Sequence, residues 1–125
     1  MKEVISSVLA PEAIGPYSQA IEANGMVFTS GQIPLDPGTG EIVGTTIEEQ
    51  AERVMQNLKA VLASAGVGFD CVVKTTCFLA DLADFAAFNQ VYGKYFPADA
   101  PARSCVQVAG LPKGVKVEVE MIAAK

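Results

Sequence analysis

Only two stretches of this chain space their apolar residues with a helical period, while its other patterned segments have the length and alternation of strands. That ratio is the strongest constraint on the fold, because two helices can cover one face of a sheet but not both. The first helix has a complete start signal: Thr46 as N-cap with Glu49 three residues on, a capping box. Ile47, Ala51, Val54, Leu58, Val61, Leu62 and Ala65 form its apolar stripe, and Gly66 supplies the C′ stop. The second is expected to open on Asp81, to bury Leu82, Phe85, Phe88, Tyr92 and Tyr95, and to end before Pro97.

The extended segments are Val4–Ile5, Ser18–Ala23, Met26–Ser30, Cys71–Leu79, Arg103–Val108 and Val115–Ile122. Asn24-Gly25 between the second and third is a strong type I′ hairpin signal. Pro11–Pro16 reads as irregular and Asp36–Gly40 as a turn. The order is βββ-α-β-α-ββ, an α+β arrangement. With no linker, repeat or low-complexity tract, residues 1–125 read as a single domain. In the last segment Val115, Val117, Val119 and Met121 point one way, toward the helices, and Lys116, Glu118 and Glu120 the other. Cys71–Leu79 carries apolar residues on both faces. Half of the chain is hydrophobic, too much for two layers with one wet face. A homo-oligomer follows as an expectation, with a ligand site between subunits.

Several kinds of chemistry are excluded. There is no histidine, so Ser-His-Asp and Cys-His catalysis and His-based metal sites are absent. The three cysteines, Cys71, Cys77 and Cys105, are odd in number and form no CxxC, which fits free thiols in a reducing compartment. The net charge of −5 and nine scattered basic residues argue against nucleic acid as a partner. No apolar run approaches the roughly 20 residues needed to span a bilayer, so no membrane role is expected. The first residues resemble no leader peptide, and a cytoplasmic location is expected. No P-loop and no G-x-G-x-x-G is present, and no metal or organic cofactor is expected.

Four places carry candidate chemistry. Arg103 opens a strand, and a guanidinium grips a planar carboxylate through two parallel hydrogen bonds; the alternative is a surface ion pair. Glu118 and Glu120 share the sheet face assigned to the interface, where a carboxylate can hold water and move protons; the alternative is a solvated polar face. Period two does not choose between them. Cys105 shares a face with Arg103 but lacks a base to activate its thiol; the alternative is a small apolar filler. Cys71 and Cys77 are expected in the core. Gly15–Ala20 and Ser30–Pro34 lie at strand ends, where Gly31 permits close backbone approach; turn chemistry alone also explains them.

Gly15-Pro-Tyr-Ser-Gln-Ala20, Ser30-Gly-Gln-Ile-Pro34, Lys74-Thr-Thr76 and Pro101–Glu120, taken in order, resemble the RidA (reactive intermediate/imine deaminase) family across nearly the whole chain. The resemblance implies a chorismate-mutase-like fold, a six-stranded mixed sheet with two helices on one face. It also implies a homotrimer with its sites between subunits. The activity implied is hydrolysis of 2-imino acids, the reactive products of pyridoxal-phosphate enzymes, to 2-keto acids and ammonia. Arg103 matches the arginine that holds the substrate carboxylate, and Glu118 the acid–base glutamate, with Glu120 the runner-up. Tyr17, Ser30, Gly31, Asn89, Cys105 and Pro112 match further substrate-binding positions. The stretch from Phe96 to Pro101 looks shorter than in some relatives. Competing readings are a non-catalytic 2-keto-acid-binding trimer and, with less support, an endoribonuclease or translation inhibitor.

Overall fold

The computed structural model describes residues 1–125. Six strands run in the order β1-β2-β3-β6-β4-β5: β1 Glu3–Ile5, β2 Ala20–Ala23, β3 Met26–Thr29, β4 Val72–Leu79, β5 Ala102–Gln107 and β6 Val117–Ala124. All neighbours are antiparallel except β4 and β5. That parallel pair is joined through the second helix, the crossover that parallel pairing requires. The sheet is therefore mixed, and helices α1 (Ile47–Ser64) and α2 (Phe85–Tyr95) supply the only helical layer.

The helix signals act as expected. Thr46 and Glu49 form the reciprocal capping box, and all seven stripe residues of α1 are buried. Gly66 takes φ 81° just past the helix, and Asn24 and Gly25 take the left-handed conformations of a type I′ turn, φ 53° and 73°. Val115, Val117, Val119 and Met121 are buried beneath the helices. Because β6 lies between β3 and β4, the last strand in sequence is interior in the sheet, and its alternating pattern sorts core from open face.

The second helix departs from its expected stripe. Asp81 caps a 3-10 turn, Leu82–Asp84, by accepting from the Ala83 N–H at 2.8 Å. The α-helix starts only at Phe85. A 3-10 turn advances with three residues per turn rather than 3.6, so the phase resets. Leu82 and Phe85 are left exposed, at 47% and 38%, and the buried residues are Phe88, Val91 and Tyr92. Cys71 ends another 3-10 turn (Phe69–Cys71) instead of opening β4, and is half-buried. No helix is long and apolar enough to cross a membrane.

Two buried polar residues on α1, unremarked in the sequence pattern, fasten loops to the core. Asn57 is fully buried. It donates to the carbonyls of Ile33 (3.2 Å) and Leu35 (3.0 Å) and accepts from Arg53 Nε at 3.0 Å. Gln50 donates to the Gly44 carbonyl at 3.1 Å and accepts from the Lys116 N–H at 2.8 Å. Truncating such a group strands buried carbonyls without partners, which costs about 1–3 kcal/mol. Asn57→Leu is expected to lower unfolding free energy by about that amount, read from the urea midpoint at unchanged m-value.

Candidate active site

A cleft of about 510 Å³ opens where the chain after β3 meets β6. Tyr17, Ser30, Gly31, Pro112 and Glu118 line it, together with Pro11, Glu12, Ile14, Ile33, Leu35 and Lys113. Gln32 exchanges backbone hydrogen bonds with Val119 (2.8 and 3.2 Å), so the chain just past β3 runs beside β6 and sets Gly31 against Glu118. The approach leaves no room for a side chain while the Glu118 carboxylate keeps its place: a Cβ built on Gly31 would run into Glu118 Oε2 and lie 2.8 Å from its carboxyl carbon. The requirement is space, since Gly31 does not have positive φ. Its N–H has no acceptor within the chain.

Ser30 is held by its own hydroxyl, which donates to the Ser18 carbonyl at 2.6 Å. The opposite wall depends on Gln19, buried at 4% exposure. Its Oε1 accepts from the Ser7 N–H (2.6 Å), and its Nε2 donates to the carbonyls of Pro11 (2.7 Å) and Ser7 (3.1 Å). The irregular Pro11–Pro16 segment is thus tied down by one side chain. Gln19 lies in the Gly15–Ala20 motif, just before β2, and no local pattern marks its role, because the backbone groups it holds are eight to twelve positions away in the chain. Pro112-Lys113-Gly114 forms the remaining rim as a 3-10 turn in which Lys113 (φ 57°) and Gly114 (φ 68°) are both left-handed.

Glu118 is half-buried, and its carboxylate makes no hydrogen bond or ion pair within the chain. Burial, and secondarily the charge of Glu120, push its carboxyl above the usual carboxylate range. Glu120 shares this open face but is exposed and does not line the cleft. The geometry thus separates two residues that period two left equivalent.

Arg103, Asn89 and Cys105 are elsewhere. Arg103 is in register with the fully buried Thr75 and Cys105 with the fully buried Cys77, so both point to the helix-covered face. Glu118 is in register with Phe78 and points to the open face. Within one chain Arg103 and Glu118 therefore lie on opposite faces of the sheet, with β4 between their strands. Arg103 Nη1 donates to Asn89 Oδ1 at 2.7 Å and has no carboxylate partner. Burial pushes the Cys105 thiol up, a shift that nearby Arg103 opposes, and burial pushes the Cys77 thiol up to about 12. Neither thiol suits nucleophilic attack.

The family model described as endoribonuclease L-PSP matches residues 7–125. Reactive Intermediate Deaminase A, chloroplastic, from Arabidopsis thaliana is 53% identical over 122 residues, 98% of this chain and 65% of that protein. The chain belongs to the RidA family. Among its members, the 2-iminobutanoate/2-iminopropanoate deaminase of Mus musculus is 46% identical over 125 residues, all of this chain and 93% of that protein. The crystal structure of Escherichia coli TdcF with bound serine is 48% identical, covers 98% of each chain and superposes with a TM-score of 0.94. The six-stranded mixed sheet under two helices is thus the RidA-family fold.

Two outcomes follow from the cleft. A carboxyl whose pKa is higher in the folded state than in the unfolded chain costs stability as pH rises through that window, and the cost persists above it. In the dissociated chain Glu118→Gln removes the charge, so it is expected to raise Tm at pH 7 relative to the parent chain, with the advantage vanishing below the ordinary carboxylate pKa of about 4.3. Scanning calorimetry at two pH values reads this. Gly31→Ala should keep Tm within a few degrees, because the obstructing atoms end a flexible side chain, while nitrogen-15 and carbon-13 shifts report a displaced Glu118 carboxylate.

Proposed function

We propose that this RidA-family chain is a 2-imino-acid deaminase that works as a homotrimer, completing each site with Arg103 of one copy and the Glu118 cleft of the next. The observation that carries this reading is the division of unpaired charge. Glu118 and Arg103 each lack an opposite charge, yet the sheet separates them. A half-buried unpaired carboxylate is tolerated where a ligand or a neighbour completes it. The open face also carries an exposed apolar row, with Val4, Ile21, Phe28 and Ile122 in register across four strands and Val4 at 66% and Phe28 at 42% exposure. Such a row calls for a partner surface. Relatives named imine deaminases, and a relative holding serine, point to an amino-acid-sized carboxylate ligand.

In this reading Arg103 holds the carboxylate of a 2-imino acid, and the Gly31 N–H donates to the ligand. Glu118 takes a proton from water as the water oxygen bonds to the imine carbon. The nitrogen takes that proton from Glu118, giving a carbinolamine; Glu118 then takes the carbinolamine hydroxyl proton and passes it to the nitrogen, which leaves as ammonia as the carbon–oxygen double bond of the 2-keto acid forms. Acid–base help of this kind contributes about 10²–10⁴-fold. Because the base must be ionised, the rate should rise with pH through the raised Glu118 pKa and level off above it. Imino acids released by a serine or threonine dehydratase, timed against capture by semicarbazide, provide the assay. Arg103→Ala and Glu118→Ala are each expected to remove the acceleration, and Glu120→Ala to retain most of it.

Mixing tests the shared site directly. Arg103→Ala and Glu118→Ala chains, refolded together in equal amounts, should regain about a quarter of parental activity, the share of neighbouring pairs that bring an intact Glu118 to an intact Arg103. No regain from correctly sized mixed trimers would sink the intersubunit assignment. The endoribonuclease description of the family is less well supported by this cleft. Its lining has Glu12 and Glu118 against Lys113 alone, the wrong balance for phosphate.

A further inference from the structure

The geometry points to one face of α2, made of Phe85, Asn89 and Tyr92, as a cradle that fixes the Arg103 guanidinium and aims its free N–H groups outward. These are positioning residues for the carboxylate grip, and the inference rests on the role proposed for Arg103. The three sit at positions i, i+4 and i+7 and so share one helix face. The guanidinium carbon stands 5.4 Å from the Phe85 ring centre and 4.9 Å from that of Tyr92. Both lie within the roughly 6 Å over which a ring face attracts a cation. The Asn89 amide oxygen takes one N–H at 2.7 Å.

The cradle has its own support. Tyr92 is buried, and its hydroxyl bonds at 2.8 Å the hydroxyl of buried Thr75, the β4 residue paired with Arg103. Its ring packs in tilted contacts against Phe96 and Phe88, with ring centres 4.9 and 5.5 Å away. The ring under the cation therefore belongs to the core. Phe85, the residue that the reset of helix phase left exposed, is the outer wall.

The choice of acceptor matters. A guanidinium has five N–H donors, and neutral Asn89 engages one without supplying a negative charge. A carboxylate at position 89 would hold the guanidinium at least as firmly but would compete with the ligand. Orientation and charge are thereby separable. Pre-orienting a long, rotamer-rich side chain removes part of the cost of ordering it on binding.

The test uses the full-length protein and two readouts. Nitrogen-15 NMR of the Arg103 guanidinium measures its restraint, and calorimetry with 2-oxobutanoate measures affinity. In the parent, rotation of the Arg103 guanidinium should be slow. Asn89→Ala should speed it and weaken 2-oxobutanoate about tenfold. Phe85→Leu, at a surface position that tolerates change, should weaken it about two- to fivefold. Asn89→Asp should keep rotation slow yet weaken binding at least as much as Asn89→Ala, an outcome that a merely structural role for Asn89 does not produce. Fast rotation in the parent, or unchanged rotation and affinity in both Asn89→Ala and Phe85→Leu, overturns the cradle. Restrained rotation that Asn89→Ala releases, in a protein whose trimers neither bind 2-oxobutanoate nor hydrolyse imines, upholds the cradle and overturns the proposed function instead.

Discussion

Strand β6 sets the two sides of this molecule. It is hydrogen-bonded to β3 on one side and β4 on the other, so its backbone leaves no edge and its side chains have two destinations. Val117, Val119, Met121 and Ala123 pack into the core on the side of α1, a core whose largest buried members include Phe88, Met55 and Leu58. Glu118 and Glu120 emerge on the face that no helix covers. A shift of one residue in its pairing would drive two carboxylates into the core and bring the valines out. Register, core and candidate base are therefore one constraint.

The polar anchors extend that constraint outward. Gln50 and Asn57 project from the buried side of α1 and hold the backbone at Gly44, Lys116, Ile33 and Leu35. Gln19 does the same for Ser7 and Pro11. Each satisfies backbone groups that would otherwise be stranded, and each fixes a loop bordering the cleft. The loops that carry the candidate chemistry are thus irregular in conformation but fastened at specific atoms to the rigid layer beneath.

Charge is arranged differently. The two candidate groups, Glu118 and Arg103, receive no neutralising partner from their own chain, whereas the surface pairs Lys94–Glu52 and Lys125–Glu22 are closed. Exposed pairs of that kind contribute little to stability. The uncompensated groups lie half-buried, where the cost of leaving them unpaired is larger. Under the proposed arrangement a neighbouring copy and a carboxylate ligand meet that cost, which makes assembly and binding parts of one electrostatic balance.

The helix count, the capping of α1, the Asn24-Gly25 turn and the inward face of β6 were legible in the amino-acid pattern, because each rests on period, turn or cap chemistry that neighbouring residues specify. The absence of histidine narrowed the chemistry equally directly, and the motif order pointed to the family. Tertiary structure decided what depends on distant segments meeting. It distinguished Glu118 from Glu120, since only Glu118 faces Gly31, which is 87 positions away in the chain by their numbers. It moved Phe85 from the expected core stripe to the side of Arg103, because the 3-10 turn after Asp81 reset the helix phase. It also placed Arg103 and Glu118 on opposite sheet faces. That separation arises from pairing register, Arg103 beside Thr75 and Glu118 beside Phe78 on opposite faces of β4, and a periodic pattern carries no information about how one strand is aligned with another.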